Sequence, residues 1–307
     1  MKILLDTDPG VDDALALGFL ASQQKAALVG ISTVFGNNTV ETTSRNALAL
    51  CEFFGIDPPV ARGASHPLAG EARPKNMAHG ENGLGNVVLG APNRPLHPQP
   101  AHDLMSQVAR THSGELVIVA VGPLTNLALA LQHDTEIVQH VRGVVVMGGV
   151  FDAPGNATQW AENNIYADPT AADMVFAADW PVTVVPLNIT RQVVMDNAYL
   201  AGLNHGKVGR FLFEMADFYK AAYTTRLANA GGGIMSHDPT AAICALDESL
   251  FTFKEEEIHV VTQGEHAGQT LLHNTGTRRP QRVTVGVNAE RVLQEFLRAF
   301  SRSKETE

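Results

Sequence analysis

Short runs of consecutive apolar residues, separated by stretches with helical spacing, recur from one end of this 307-residue chain to the other. The runs cover residues 3–5, 27–34, 116–121, 144–147, 182–187, 258–261 and 283–287. Strands that are apolar at successive positions, rather than at alternate ones, are covered on both faces, as in a parallel sheet. Helical patterns fill the intervals at 14–24, 40–54, 124–131, 170–178, 209–228 and 289–301. Asp168-Pro169 reads as an N-cap followed by proline at the first helical position, and Asn288 caps the last helix. Alternation of this kind implies α/β architecture. The expected fold is a single doubly wound domain over residues 1–307, with a central, mostly parallel sheet and helices on both faces. Residues 58–100, rich in Gly, Pro, Asn and His, form the longest loop-like stretch, a length that usually marks function.

Composition narrows the function classes. Hydrophobic residues make up 45% and charged residues 18% of the chain, a balance that permits a sizeable core. A formal net charge of -10 argues against a nucleic-acid surface, which needs clustered Lys and Arg. Cys51 and Cys244 offer neither a zinc spacing nor a disulfide framework, so reduced thiols in a cytoplasm are expected. The first apolar run stops at Asp6, too short for a signal-peptide core, and no stretch reaches the length of a transmembrane helix. None of this argues against a small neutral molecule as partner, and neither nucleic acid nor a membrane is expected.

Asp6, Asp8, Asp12 and Asp13 crowd the junction between the first strand and the first helix. In an open α/β sheet, ligands bind outside the carboxyl ends of the strands. Pro9-Gly10 makes the turn, and Asp12 and Asp13 then point about 100° apart in the first helical turn. Helix capping and the helix dipole account for one or two such carboxylates. Four together repel one another unless a cation intervenes, and oxygen ligands with no nearby cysteine favour Ca²⁺ or Mg²⁺.

This segment resembles the N-terminal signature of the inosine–uridine-preferring nucleoside hydrolase family. Further segments are similar to the family's motifs in the same order. They are Val34-Phe35-Gly36-Asn37, Val121-Gly122-Pro123-Leu124-Thr125-Asn126, Val146-Met147-Gly148-Gly149 with Asn156 beyond it, Ala161-Glu162-Asn163-Asn164, and His237-Asp238-Pro239. The resemblance implies a Ca²⁺ ion held by Asp8, Asp13, the Thr125 backbone carbonyl and Asp238. A water on that ion would be the nucleophile, with Asp8 as its base, attacking a ribose that becomes oxocarbenium-like. Asp12 and Asn37 would bind the 2′-hydroxyl region, and Asn156, Glu162 and Asn164 the 3′- and 5′-hydroxyls. Met147 and His79 would complete the substrate contacts, and His237 would protonate the departing base. A homodimer or homotetramer is implied as well. Turn chemistry is the competing reading of the Asn residues, and capping or packing that of His237.

The chain also departs from the pattern. Asn163 stands where the family commonly has an aromatic residue, leaving a smaller, more polar wall. In the region before His237, Thr225 and Asn229, or Tyr223 and Arg226, are the candidates for base contacts. Trp160 is a possible stacking partner for a base, although a residue of this kind is more often a packing residue. Two other functions fit parts of the sequence. The run Ile3-Leu4-Leu5-Asp6-Thr7-Asp8 superficially matches a Mg²⁺-dependent phosphatase of the haloacid dehalogenase type, with Asp6 as nucleophile. A non-catalytic protein that binds a nucleoside or cation would need the same pocket.

Overall fold

The computed structural model describes residues 1–223 and 232–301. In chain order the strands are β1 (Lys2–Thr7), β2 (Ala27–Thr33), β3 (Val60–Arg62), β4 (Leu116–Ala120), β5 (Val141–Met147), β6 (Val182–Val185), β7 (Val194–Met195), β8 (Ile234–Met235), β9 (Phe251–Glu256), β10 (Ile258–Val260), β11 (Thr270–Leu272) and β12 (Gln281–Val287). The helices are α1 (Val11–Ala21), α2 (Val40–Phe54), α3 (Ala101–Thr111), α4 (Thr125–His133), α5 (Ile137–His140), α6 (Asn163–Ala167), α7 (Pro169–Ala177), α8 (Leu187–Thr190), α9 (Asn197–Leu203), α10 (Gly206–Tyr219), α11 (Asp238–Leu246) and α12 (Ala289–Ser301).

Eight strands form the main sheet in the order β3-β2-β1-β4-β5-β6-β12-β9. All its pairings are parallel except that of β12 with β9. Successive side chains leave a strand on opposite faces, and the core divides accordingly. Ile3, Leu5, Val117, Val119 and Val145 pack with α1, α11 and α12. Leu4, Leu116, Ile118, Val144 and Val146 pack with α3, α4 and α7 on the other side. This is the expected mostly parallel sheet with helices on both faces. Among the described residues no helix is long and apolar enough to cross a membrane.

Some elements differ from expectation. The run at 258–261 is β10, which leaves the main sheet and pairs antiparallel with β11. The edge strands β3 and β9 were not expected. β3 has three residues, and β9 reads Phe-Thr-Phe-Lys-Glu-Glu, with charge on an edge that only one neighbour covers. Helix α11 also escaped the periodicity argument, because it is buried on nearly all sides and so carries no amphipathic stripe. Both expected caps form. Asp168 accepts from the Ala171 N–H at 3.0 Å and Asn288 from the Arg291 N–H at 3.1 Å. The stretch 58–100 contains β3 and one 3₁₀ turn at Met77–His79 before α3 begins. The expected helix at 209–228 is realised as α10 and a 3₁₀ turn to Tyr223, and its remainder lies outside the described residues.

Candidate active site

β1 and β4 are neighbours, but the chain proceeds from β1 outward to β2 and β3, and from β4 outward to β5 and β6. The connections after β1 and β4 therefore diverge and leave a crevice at their carboxyl ends. A cavity of about 250 Å³ opens there. It is lined by nine of the expected site residues: Asp12, Asn37, His79, Met147, Asn156, Glu162, Asn164, His237 and Asp238. Asp8, Asp13 and Thr125 are not among the lining residues and are almost fully buried.

The carboxylates converge from two elements. Oxygen atoms of Asp12, Asp13 and Asp238 lie within 4.8 Å of one another, at the amino-terminal ends of α1 and α11. Asp13 is the most heavily bonded. Its Oδ1 accepts from the Thr7 hydroxyl (2.5 Å) and the Asp8 N–H (3.1 Å). Its Oδ2 accepts from the Gly10 N–H (2.9 Å) and Asn37 Nδ2 (3.0 Å). Asp8 accepts the Asn37 N–H on Oδ2 at 2.6 Å, while its Oδ1 is buried with no hydrogen-bond partner. Asp12 Oδ1 is likewise buried and unpartnered.

Two glycines make room for Asp8. A Cβ on Gly36 would stand 2.1 Å from Asp8 Oδ2, and one on Gly122 would stand 2.7 Å from Oδ1. Burial, then the charge of Asp13, pushes Asp8 well above the carboxylate range and Asp12 up to about 8. Asp238 is pushed well above that range by burial and then by Asp12, Asp13 and Asp8. Orphaned oxygens on crowded, buried carboxylates fit a hard divalent cation, which would hold them ionised.

On the facing side, Glu162 caps α6. Its carboxylate accepts from the Asn164 N–H (2.9 Å), the Ile165 N–H (3.1 Å) and the Gly149 N–H (3.1 Å), yet burial still raises its pKa. The Asn164 amide donates to the Val121 carbonyl (2.8 Å) and the Met147 carbonyl (3.1 Å), clasping the ends of β4 and β5. Asn37 spends its amide donors on the Asp8 carbonyl and on Asp13. Asn156 accepts from the Asn163 N–H at 2.9 Å. In each Asn the local structural role is filled and one polar atom of the side chain remains. Asn163 also lines the cavity, and its side-chain Oδ1 accepts from Arg73 Nη1 at 3.0 Å. The Arg73 guanidinium lies over the Tyr166 ring, 4.6 Å from its centroid, so a polar pair stands where an aromatic was the usual residue.

The third wall is aromatic. The two His237 ring nitrogens contact the Thr190 hydroxyl (Nδ1, 2.8 Å) and the Tyr223 hydroxyl (Nε2, 3.1 Å), and Tyr223 contacts the Tyr219 hydroxyl at 3.1 Å. Tyr219 stacks on His79 with ring centroids 4.7 Å apart. His79 Nδ1 accepts the Val11 N–H at 3.1 Å, so in the neutral ring the proton sits on Nε2. Burial, then the charge of His237, lowers its pKa to about 3. Its 3.7 Å approach to Asp12 is therefore not an ion pair.

Of the candidate base contacts, Tyr223 lines the cavity, while Thr225, Arg226 and Asn229 lie outside the described residues. Tyr219, Asn76, Ala78 and Ala222 line it without having been singled out. The four-residue spacing of Tyr219 and Tyr223, one face of a helical turn, was the available signal for Tyr219. Trp160 stacks on His266 and is not among the lining residues.

Asp6 does not line the cavity. It is fully buried, and its Oδ1 accepts from Ser32 (2.6 Å) and Asn126 (2.8 Å). Burial raises its pKa to about 7 against the lowering effect of those two bonds. Thr125 opens α4 and donates its hydroxyl to Asp168 at 2.7 Å.

Comparison with known proteins gives this geometry a context. The chain is 38% identical over 275 residues to uridine nucleosidase 1 of Arabidopsis thaliana, covering 88% of this chain and 81% of that protein. It is 34% identical to the non-specific ribonucleoside hydrolase RihC of an Escherichia coli strain, covering 94% of each. Among solved structures it is similar to a purine-preferring ribonucleoside hydrolase from Gardnerella vaginalis, with TM-score 0.93, 34% identity and 98% of both chains covered. The family model described as inosine-uridine preferring nucleoside hydrolase matches residues 3–294. A match of that extent, on a fold and a carboxylate-floored crevice of this kind, places the chain in the inosine-uridine preferring nucleoside hydrolase family.

Proposed function

We propose that the chain hydrolyses the N-glycosidic bond of ribonucleosides to free base and ribose, with Ca²⁺ bound by Asp8, Asp13, Asp238 and the Thr125 backbone carbonyl. The observation that carries this reading is the crowding of Asp12, Asp13 and Asp238 beside the orphaned oxygens of Asp8 and Asp12. Bound there, Ca²⁺ supplies compensating charge and an oxophilic Lewis acid. Asp8 is the base, and its unpartnered Oδ1 is the atom that takes a proton from the attacking water. Asp12 binds the ribose 2′-hydroxyl region through its own free oxygen, and Asn37 keeps Asp8 and Asp13 aligned while reaching the same hydroxyl. Glu162, Asn156, Asn164 and Met147 hold the opposite edge of the sugar. Glu162 adds negative charge where the sugar becomes cationic.

His237 supplies the proton to the departing base, with the Tyr223 hydroxyl adjoining its Nε2. His237→Ala is expected to slow inosine and uridine by about 10²- to 10⁴-fold, the range of a lost general acid. An activated riboside with a good leaving group should lose less than tenfold. Equal losses on both substrate classes would reduce His237 to a wall of the pocket.

The phosphatase reading needs Asp6 as an accessible nucleophile, and Asp6 is fully buried and bonded to Ser32 and Asn126. A panel of common ribonucleosides, assayed for reducing sugar with phosphoesters in parallel, tests the proposal. Free base without inorganic phosphate is the expected result. Binding of nucleosides without turnover would favour the non-catalytic reading. The same proposal takes residues 1–307 as one domain, acting in the cytoplasm as a homodimer or homotetramer. Buried, unpaired Cys51 and Cys244 support the compartment, and light scattering tests the assembly.

A further inference from the structure

Asp6 and Asn126 are fully buried and take no part in the chemistry proposed above. Asn126 Nδ2 donates to Asp6 Oδ1 at 2.8 Å and to the Thr33 carbonyl at 3.0 Å. Its Oδ1 accepts from the Ala64 N–H at 2.9 Å. One amide thus joins the ends of β1 and β2, the segment after β3 and the first turn of α4. The site needs such a tie. The β1–β4 ladder ends at the Asp6–Ala120 pair and the Val121 N–H bond to the Asp6 carbonyl (2.8 Å). Beyond that point the two connections diverge, and no sheet bond sets their separation.

Asn126 directly follows Thr125, whose hydroxyl is committed to Asp168. Adjacent side chains therefore tie the start of α4 both to the end of β1 and to the N-cap of α7. Only a carboxamide suits position 126, because it meets two acceptors and one donor. Ala offers neither kind of group, and Asp offers no donor.

We infer that Asn126 and Asp6 are a positioning pair. By fixing the start of α4 against the end of β1, they hold the Thr125 carbonyl in register with Asp8 and Asp13, and so set cation affinity. This inference rests on the cation site proposed above.

The test is titration of metal-free, full-length protein with Ca²⁺ alone by calorimetry, with thermal melting alongside. Asn126→Ala and Asn126→Asp should each weaken Ca²⁺ by about 10- to 100-fold, the range for residues that orient metal ligands. Thr284→Val serves as the control. It removes a buried 2.9 Å bond between β12 and the Val184 carbonyl, away from the cavity, and should leave Ca²⁺ affinity within threefold while lowering Tm. Wild-type affinity in the Asn126 variants overturns the pair alone. Equal weakening by Thr284→Val also overturns it, since general loosening would then suffice. A wild-type protein that binds no Ca²⁺ overturns the cation site and the pair with it. If only one Asn126 variant folds, its titration decides. If neither folds, the pair is a requirement of the fold, and the inference fails.

Discussion

Replacing Asp13 with Ala is expected to abolish nucleoside turnover, by about 10³-fold or more, the scale of several kcal/mol of lost transition-state stabilisation. Two effects act on the fold at once. The substitution strands four buried donors, on Thr7, Asp8, Gly10 and Asn37. Each unsatisfied donor costs roughly 1–3 kcal/mol before water enters. Against this, removing one carboxylate relieves repulsion with Asp8, Asp12 and Asp238. In metal-free protein the two partly cancel, and a net loss of about 2 kcal/mol is expected, within a typical total of roughly 5–15 kcal/mol. With Ca²⁺ in excess only the wild type gains binding energy, so the gap in Tm between wild type and variant should widen. Melting curves with and without Ca²⁺ check this. A gap that stays constant, together with more than a tenth of wild-type turnover, would leave Asp13 as a helix cap only.

Gly36→Ala is expected to be almost as damaging, although it removes no functional group. Gly36 has φ of +152°, a conformation that side chains rarely adopt, and its Cβ would stand 2.1 Å from Asp8 Oδ2. No relaxed contact is that short, so Asp8 must move by about an ångström, and a displacement of that size costs on the order of 10²-fold in rate. The backbone strain adds about 1–3 kcal/mol to the folding cost. The variant should therefore lose kcat and Ca²⁺ affinity together while retaining its far-ultraviolet circular dichroism. Wild-type kcat in a folded Gly36→Ala protein would mean that the Asp8 position is not critical.

The layered architecture was legible because its central strands are apolar at successive positions, a pattern that few other structures produce. The edges were not legible. β3 is too short to show a pattern, and β9 carries Lys254, Glu255 and Glu256, which read as loop. β10 had the composition of a central strand but spends it on a separate hairpin, and composition does not name the pairing partner.

In the site, what the sequence carried best was position in the chain. The motifs after β1, β4 and β5 all end at one crevice. What it could not carry was the division of labour within a side chain. Asn37 and Asn164 were expected to face the sugar, yet their amide donors hold the protein together, and only their remaining oxygens are available to a ligand. Those bonds depend on where the Asp8, Val121 and Met147 carbonyls point, which no local pattern encodes. Nor could the sequence show that Asp6, alone of the four clustered aspartates, accepts from both Ser32 and Asn126. Tyr219 was overlooked because a tyrosine on an amphipathic helix looks like core until His79 is found stacked on it.

In the proposed function, the buried carboxylates at the switch point hold a cation on which hydrolysis depends. Its most direct test is release of base from inosine and uridine by protein stripped with a chelator, then reconstituted with Ca²⁺. Turnover is expected to fall to background on stripping and to return with about one equivalent of Ca²⁺ per chain, as one six- to eight-coordinate site requires. Undiminished turnover by verified metal-free protein would contradict it.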